Sequence, residues 1–164
     1  MSNQILDIII NPNPILRKKS TDISPEMIKT AGFQGLCADM VATMLAKDGA
    51  GLSAPQIGKN INLIIINTKD GILTMINPKI TKKSLFKEWD SEGCLSVVNP
   101  EGKIAYGEVK RYRSLHCQFL DQNGKERKIE GKGMMARVIQ HEIDHLNGIL
   151  FIDRARNMEP YAGN

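Results

Sequence analysis

The strongest chemical signal in this chain is five consecutive residues, His141-Glu142-Ile143-Asp144-His145. Histidines four positions apart on a helix lie one turn apart on the same face, so their imidazoles can converge on one ion. Glu142 stands a fraction of a turn from His145. Its carboxylate therefore reaches a water at that ion, as a general acid/base must. With three histidines and nine glutamates in 164 residues, the expected number of chance occurrences is roughly 0.003. We therefore read a metal-binding helix rather than two solvated histidines.

Two histidines do not complete a site, because a catalytic ion typically takes three protein ligands and keeps one position open. The downstream histidine of one metalloprotease class would fall at Phe151, which cannot bind metal. Asp153 and Glu159 are weak oxygen candidates. Cys94 is the better third ligand. It stands in Glu92-Gly93-Cys94-Leu95-Ser96, read as a tight, glycine-containing segment between strands, and a thiolate suits iron or zinc. Cys37 and Cys117 read as small buried apolar side chains. His116 reads as structural, since its neighbour Cys117 must face the other side of a strand. A third segment, Gly49-Ala50-Gly51-Leu52-Ser53-Ala54-Pro55-Gln56, combines permissive glycines with an amide donor at Gln56. It lacks the Lys-Ser/Thr ending of a phosphate loop. Glu92 and Asp144 are candidates to accept a hydrogen bond from a ligand imidazole.

These residues need elements to hold them. Gln4 to Ile10 reads as a strand stopped by Asn11-Pro12-Asn13-Pro14. Ser24-Pro25-Glu26 has an N-cap, a first-turn proline and an acid, and it opens a helix from about Pro25 to Lys47. Asn62 to Asn67 and Ile72 to Asn77 read as hairpin strands joined through Thr68-Lys69-Asp70-Gly71. Further strands are expected at Lys79 to Glu88, Ile104 to Val109, Ser114 to Leu120 and Lys125 to Ile129, with turns at Asn99 to Gly102 and Asp121 to Gly124. Gly133 opens the metal-binding helix, Met134 to about Asn147, and Gly148 closes it. The order predicts an α+β fold: antiparallel or mixed sheets packed around a central helix bearing the His-Glu motif, plus one N-terminal helix. Residues 1–164 read as one catalytic domain.

Composition narrows the class. Hydrophobic residues make up 41% and charged residues 24%, which excludes a wholly disordered chain. The net charge of +4 is spread along the sequence rather than gathered in an aromatic-rich patch, so direct nucleic-acid readout is not expected. Three cysteines argue against a disulfide framework and for a reducing compartment. No signal peptide is expected. The longest strongly apolar run, Leu63 to Ile66, is too short to cross a bilayer.

The three segments, in this order, resemble the peptide deformylase family. Its members carry a Gly-x-Gly-Leu-Ala-Ala-x-Gln loop, a Glu-Gly-Cys-Leu-Ser segment and a matching His-Glu helix motif. The stretch Ile10 to Arg17 is also similar to the family's Pro-x-x-x-Leu-Arg opening. The resemblance implies a metal-dependent hydrolase that removes the formyl group from the N-terminal formyl-methionine of new polypeptides and releases formate. It implies Cys94, His141 and His145 as metal ligands, with metal-bound water attacking the formyl carbonyl and Glu142 as general acid/base. It also implies Gln56 and the Leu95 backbone N–H as oxyanion donors. Gly51 and Leu52 would meet the extended peptide, and Met134 and Val138 would line the methionine pocket. The cofactor implied is one divalent ion, ferrous iron, with zinc or nickel as substitutes. The implied partners are N-formylmethionyl nascent peptides and, more weakly, the ribosome surface, with no membrane. The expected state is a monomer in the cytoplasm of a bacterium or a phage-infected host cell.

The sequence departs from the family pattern at several points. Ser53 replaces the first alanine of the loop, and Val98 stands where proline is usual. The stretch Val98 to Gly107 is longer than in common bacterial members. Arg137 occupies a usually apolar position and is expected to point to solvent. The residues after Asp153 match a short form without a C-terminal extension helix.

Overall fold

The computed structural model describes residues 4–163. Among the described residues there are three α-helices, a single turn α1 (Pro25–Ile28), α2 (Ala31–Ala46) and α3 (Met134–Leu146), besides three short 3-10 turns. Seven strands accompany them: β1 (Gly51–Ser53), β2 (Leu63–Thr68), β3 (Gly71–Lys83), β4 (Lys87–Val98), β5 (Ile104–Tyr112), β6 (Ser114–Leu120) and β7 (Glu126–Lys132). Five strands form an antiparallel sheet in the order β1-β2-β3-β6-β7, and β4 pairs with β5 in a separate antiparallel ribbon. This is the expected α+β layout.

The apolar run Leu63–Ile66 explains why β2 lies inside the sheet. Its four side chains are all buried. Leu63 and Ile65 pack on one face with Met40 and Met44 of α2. Ile64 and Ile66 pack on the other with Ala136 and Ile139 of α3. A strand covered on both faces reads as a continuous apolar run, not as an alternation. A third cluster joins Leu16, Cys94, Val97, Val109, Leu150 and Phe151 beneath the β4–β5 ribbon.

Four expected elements differ. The helix from Pro25 breaks at Thr30, whose extended backbone (ψ 143°) ends α1, while its hydroxyl accepts from Phe33 N–H and caps α2. The two strands expected at Ile72–Asn77 and Lys79–Glu88 are one strand, β3, up to Lys83. Asn77 adopts a φ of 51° within it, and the pairing with β6 shifts register there. Residues 4–10 form no ladder, because their donors go to separate places. Leu6 N–H reaches Thr43 Oγ1 and Ile9 N–H reaches Gln56 O, and Asn11 N–H just beyond reaches Ser96 O. The N-terminal segment thus ties the Gln56 loop to the Cys94 strand. Finally, Cys94 lies inside β4 and not between strands.

No helix among the described residues is long and apolar enough to cross a membrane. Residues 154–163 form no helix. They run along β5, with Glu108 and Arg156 paired through their backbones.

Candidate metal centre

Helix α3 delivers three site residues at once. Its N-terminus is set by Gly133 in a positive-φ conformation (φ 55°). Its C-terminus is set by Gly148 (φ 72°), whose N–H reaches His145 O. A side chain at Gly148 would collide with the Arg17 backbone, so this glycine also allows the N-terminal segment to approach. His141, Glu142 and His145 are all buried on the helix face turned inward.

Cys94 comes from β4. The ladder with β5 is regular from Lys87↔Tyr112 to Gly93↔Tyr106 and resumes only at Val98↔Ile104. Residues 94–97 therefore stand opposite Ala105 alone. That bulge turns the cysteine out of the ladder. Cys94 Sγ lies 3.3 Å from His145 Nε2, and the ligand atoms of Cys94, His141 and His145 all fall within 4.8 Å of one another. Among the described residues this is the group of His, Cys, Asp and Glu side chains arranged to hold an ion. Asp153 is instead held by Arg17 and the Leu150 N–H, and Glu159 accepts from Tyr106 N–H. Neither is a ligand candidate in the fold.

The donor set fits a divalent metal. It is one sulfur and two imidazole nitrogens in a buried pocket, with a carboxylate beside it. Burial, and then His141 nearby, push the His145 imidazole well below its usual range, which keeps its nitrogen lone pair available. Burial opposes charge on His141, but hydrogen bonds to Cys94 and Glu92 outweigh it and push that imidazole up. A cation at this point displaces the proton so held. Burial pushes the Glu142 carboxyl up to about 7. Its Oε2 is buried without a hydrogen-bond partner, so it has a free acceptor for a water in the cavity.

Glu92 supports the ligands from behind. Its Oε2 accepts from His141 Nδ1 at 2.9 Å and from Arg111 Nη2 at 3.0 Å. Its Oε1 accepts from Arg111 Nε at 2.9 Å and Arg137 Nη1 at 2.8 Å. Burial disfavours a charged Glu92, but the bonds from His141 and Arg111 prevail and hold the carboxyl far below the usual carboxylate range. The imidazole is thereby fixed with Nε2 toward Cys94. Asp144 touches no ligand imidazole; it pairs with Arg111 and Arg154. Arg137 does not point to solvent. It is 4% exposed and also donates to Val109 O and Glu88 O. Residues 137, 141 and 145 share one helix face, but it is the Glu92 carboxylate that makes a buried guanidinium tolerable there.

Gln56 enters from the turn Ala54–Ile57 that follows β1. Its Oε1 accepts from Ser53 N–H at 2.9 Å and Ser53 Oγ at 3.0 Å. Its Nε2 faces Cys94 Sγ at 3.4 Å and Ser96 Oγ at 3.2 Å. A cavity of about 220 Å³ brings Gly51, Gln56, Cys94, Leu95, His141 and Glu142 together with Met134 and Val138. Two expected site residues do not line it: His145, which lies behind Cys94 Sγ, and Leu52. Alternation along β1 turns the Leu52 side chain into the core beside Met40 and Ile65, away from the cavity. Ile104 and Tyr106 of β5 also line the cavity. Sequence reading missed them, because only the pairing of β4 with β5 places them there.

Comparison with known proteins bears on the chain as a whole. The family model described as polypeptide deformylase matches residues 5–161. A peptide deformylase of Thermoanaerobacter pseudethanolicus is 42% identical over 144 residues, covering 86% of this chain and 83% of its own. The crystal structure of a class I type b peptide deformylase from Acinetobacter baumannii, bound to Met-Ala-Ser, superposes with a TM-score of 0.85 at 31% identity, covering 93% of this chain and 99% of that one. A peptide deformylase from Synechococcus elongatus in complex with actinonin gives a TM-score of 0.85 at 36% identity, over 96% of this chain and 82% of that one.

Proposed function

The chain belongs to the polypeptide deformylase family, and on that premise we propose that its Cys94–His141–His145 pocket is the catalytic centre. The activity is metal-dependent hydrolysis of the formyl group at the N-terminus of formyl-methionyl peptides, releasing formate. The observation that carries the site assignment is the convergence of Cys94, His141 and His145 within 4.8 Å, beside a buried carboxylate with a free acceptor oxygen.

When bound by these three side chains, a divalent ion supplies Lewis-acid activation of water at neutral pH. Ferrous iron is the ion proposed; the single thiolate makes the set softer than three nitrogens, and zinc or nickel would also be accepted. Glu142 takes the proton from the attacking water and later gives it to the departing amine, so the formyl C–N bond breaks with a neutral leaving group. Gln56 Nε2 and the Leu95 backbone N–H donate to the formyl oxygen as negative charge develops on it.

An open sheet edge supports a placement for the substrate. Strand β1 pairs only with β2 and so leaves one edge open, where an extended peptide adds as a further strand. Gly51 on that strand lines the cavity, as do Met134 and Val138 for the methionine side chain. Formylated nascent chains are the partners, and the cytoplasm is where they arise.

The deciding experiment measures formate release from formyl-Met-Ala-Ser by anaerobically purified protein of known metal content, beside Glu142→Ala. The expected result is turnover in the parent, and a variant that keeps its metal but loses about 10²-fold or more in kcat. A fully iron-loaded parent with no turnover would overturn the reading.

A further inference from the structure

The loop before Gln56 carries a serine where the family pattern has alanine, and that hydroxyl is not idle. Ser53 is fully buried at the end of β1. Its Oγ donates to Gln56 Oε1 at 3.0 Å, on the same oxygen that accepts the Ser53 backbone N–H at 2.9 Å. Two donors thus saturate the carbonyl end of the amide. The other end, Nε2, is turned toward Ser96 Oγ and toward Cys94 Sγ, which lines the cavity.

We propose that Ser53 is a positioning residue whose hydroxyl locks the Gln56 amide with its N–H donors toward the formyl oxygen. The inference rests on the deformylase reading above. Its physical basis is the cost of the alternative. Rotating the amide by half a turn would set its NH₂ group against the Ser53 backbone N–H, take away the carbonyl oxygen to which the hydroxyl donates, and turn that carbonyl against the cysteine sulfur. Each buried group left without a partner carries a desolvation cost. With alanine at this position one of the two hydrogen bonds that favour the observed orientation disappears. The flipped or mobile amide then becomes accessible, and the oxyanion donor is misaimed for part of the time. An oxyanion donor acts only on the transition state, so its misplacement lowers kcat and leaves KM unchanged.

The hydroxyl also lies within reach of the Glu142 carboxylate, so the test must separate the two partners. Ser53→Ala is compared with the parent for kcat and KM on formyl-Met-Ala-Ser, for metal content and for melting temperature. The same substitution is then made in a Gln56→Ala background. The expected result is a loss of about threefold to tenfold in kcat at unchanged KM and metal content, which is the effect of one net hydrogen bond. No further loss is expected in the Gln56→Ala background. In the zinc-loaded protein, the Gln56 side-chain amide NMR signals should be sharp in the parent and broadened or doubled in Ser53→Ala. Equal kcat with unchanged Gln56 signals would overturn the proposal. So would a loss that persists without Gln56, because the hydroxyl would then act on Glu142. Absence of turnover in the parent would sink the deformylase reading instead, while the NMR comparison would still decide the role of Ser53.

Discussion

Gly51→Ala adds one methyl group next to Glu142, the proposed general base. A Cβ built at Gly51 lies 2.6 Å from Glu142 Oε1, 2.9 Å from Cγ and 3.0 Å from Cδ. Ordinary contact begins at 3.4 Å, so the carboxylate must retreat by about 0.8 Å. Glu142 is 4% exposed and its helix packs on β1, so the carboxylate is displaced within the cavity that it lines. Gly51 itself has no positive φ, so alanine suits the backbone and the fold should persist. A displacement near 1 Å at a catalytic group costs on the order of 10²-fold in rate. The expected outcome is a kcat lower by about that factor, with metal content and melting temperature close to the parent. Formate release under saturating formyl-Met-Ala-Ser, with metal assayed in the same samples, measures it. A kcat within threefold of the parent would refute the argument that close approach to Glu142 is why a glycine stands here.

Two further outcomes follow from the buried charges and thiols. Glu92→Ala removes the shared acceptor of Arg111 and Arg137, whose side chains are each 5% exposed. It should cost about 3–5 kcal/mol in denaturant-induced unfolding and weaken metal binding about 10- to 100-fold in chelator competition. Glu92 ionises more easily folded than unfolded, so its contribution is fully present above its ordinary value of 4.5 and is lost as pH falls. The stability gap between parent and variant should therefore narrow in acid; a gap that stays constant would exclude Glu92 as its source. Burial pushes the thiols of Cys37 and Cys117 up to about 11. At pH 8 iodoacetamide should leave both untouched in the native protein and, after the metal is stripped, label Cys94 alone; mass-spectrometric labelling of Cys37 or Cys117 at a comparable rate would contradict this.

Local rules in the sequence determined a good deal of this protein. The four-residue spacing of His141 and His145 requires nothing beyond helical geometry to bring them together. Ser24 with Pro25 opened a helix, and Gly148 closed one, because caps depend on the residues beside them. The apolar run Leu63–Ile66 marked a strand buried on both faces. Ordered motifs also singled out Cys94 and Gln56, which lie far from the helix in the chain. Other features depended on contacts that no local pattern encodes. Whether Arg137 faced water or the interior turned on Glu92, 45 residues away, since a buried guanidinium is tolerable only where a carboxylate and carbonyls await it. The side chain of Leu52, one residue from Gly51, went to the core because β1 pairs with β2 in one register and a strand alternates its faces. The bulge that frees Cys94 exists only in the pairing of β4 with β5. Spacing along the chain thus chose the chemistry, while long-range pairing and burial decided which neighbours could tune it, because the free energy of a buried charge or a strand register depends on partners distant in sequence.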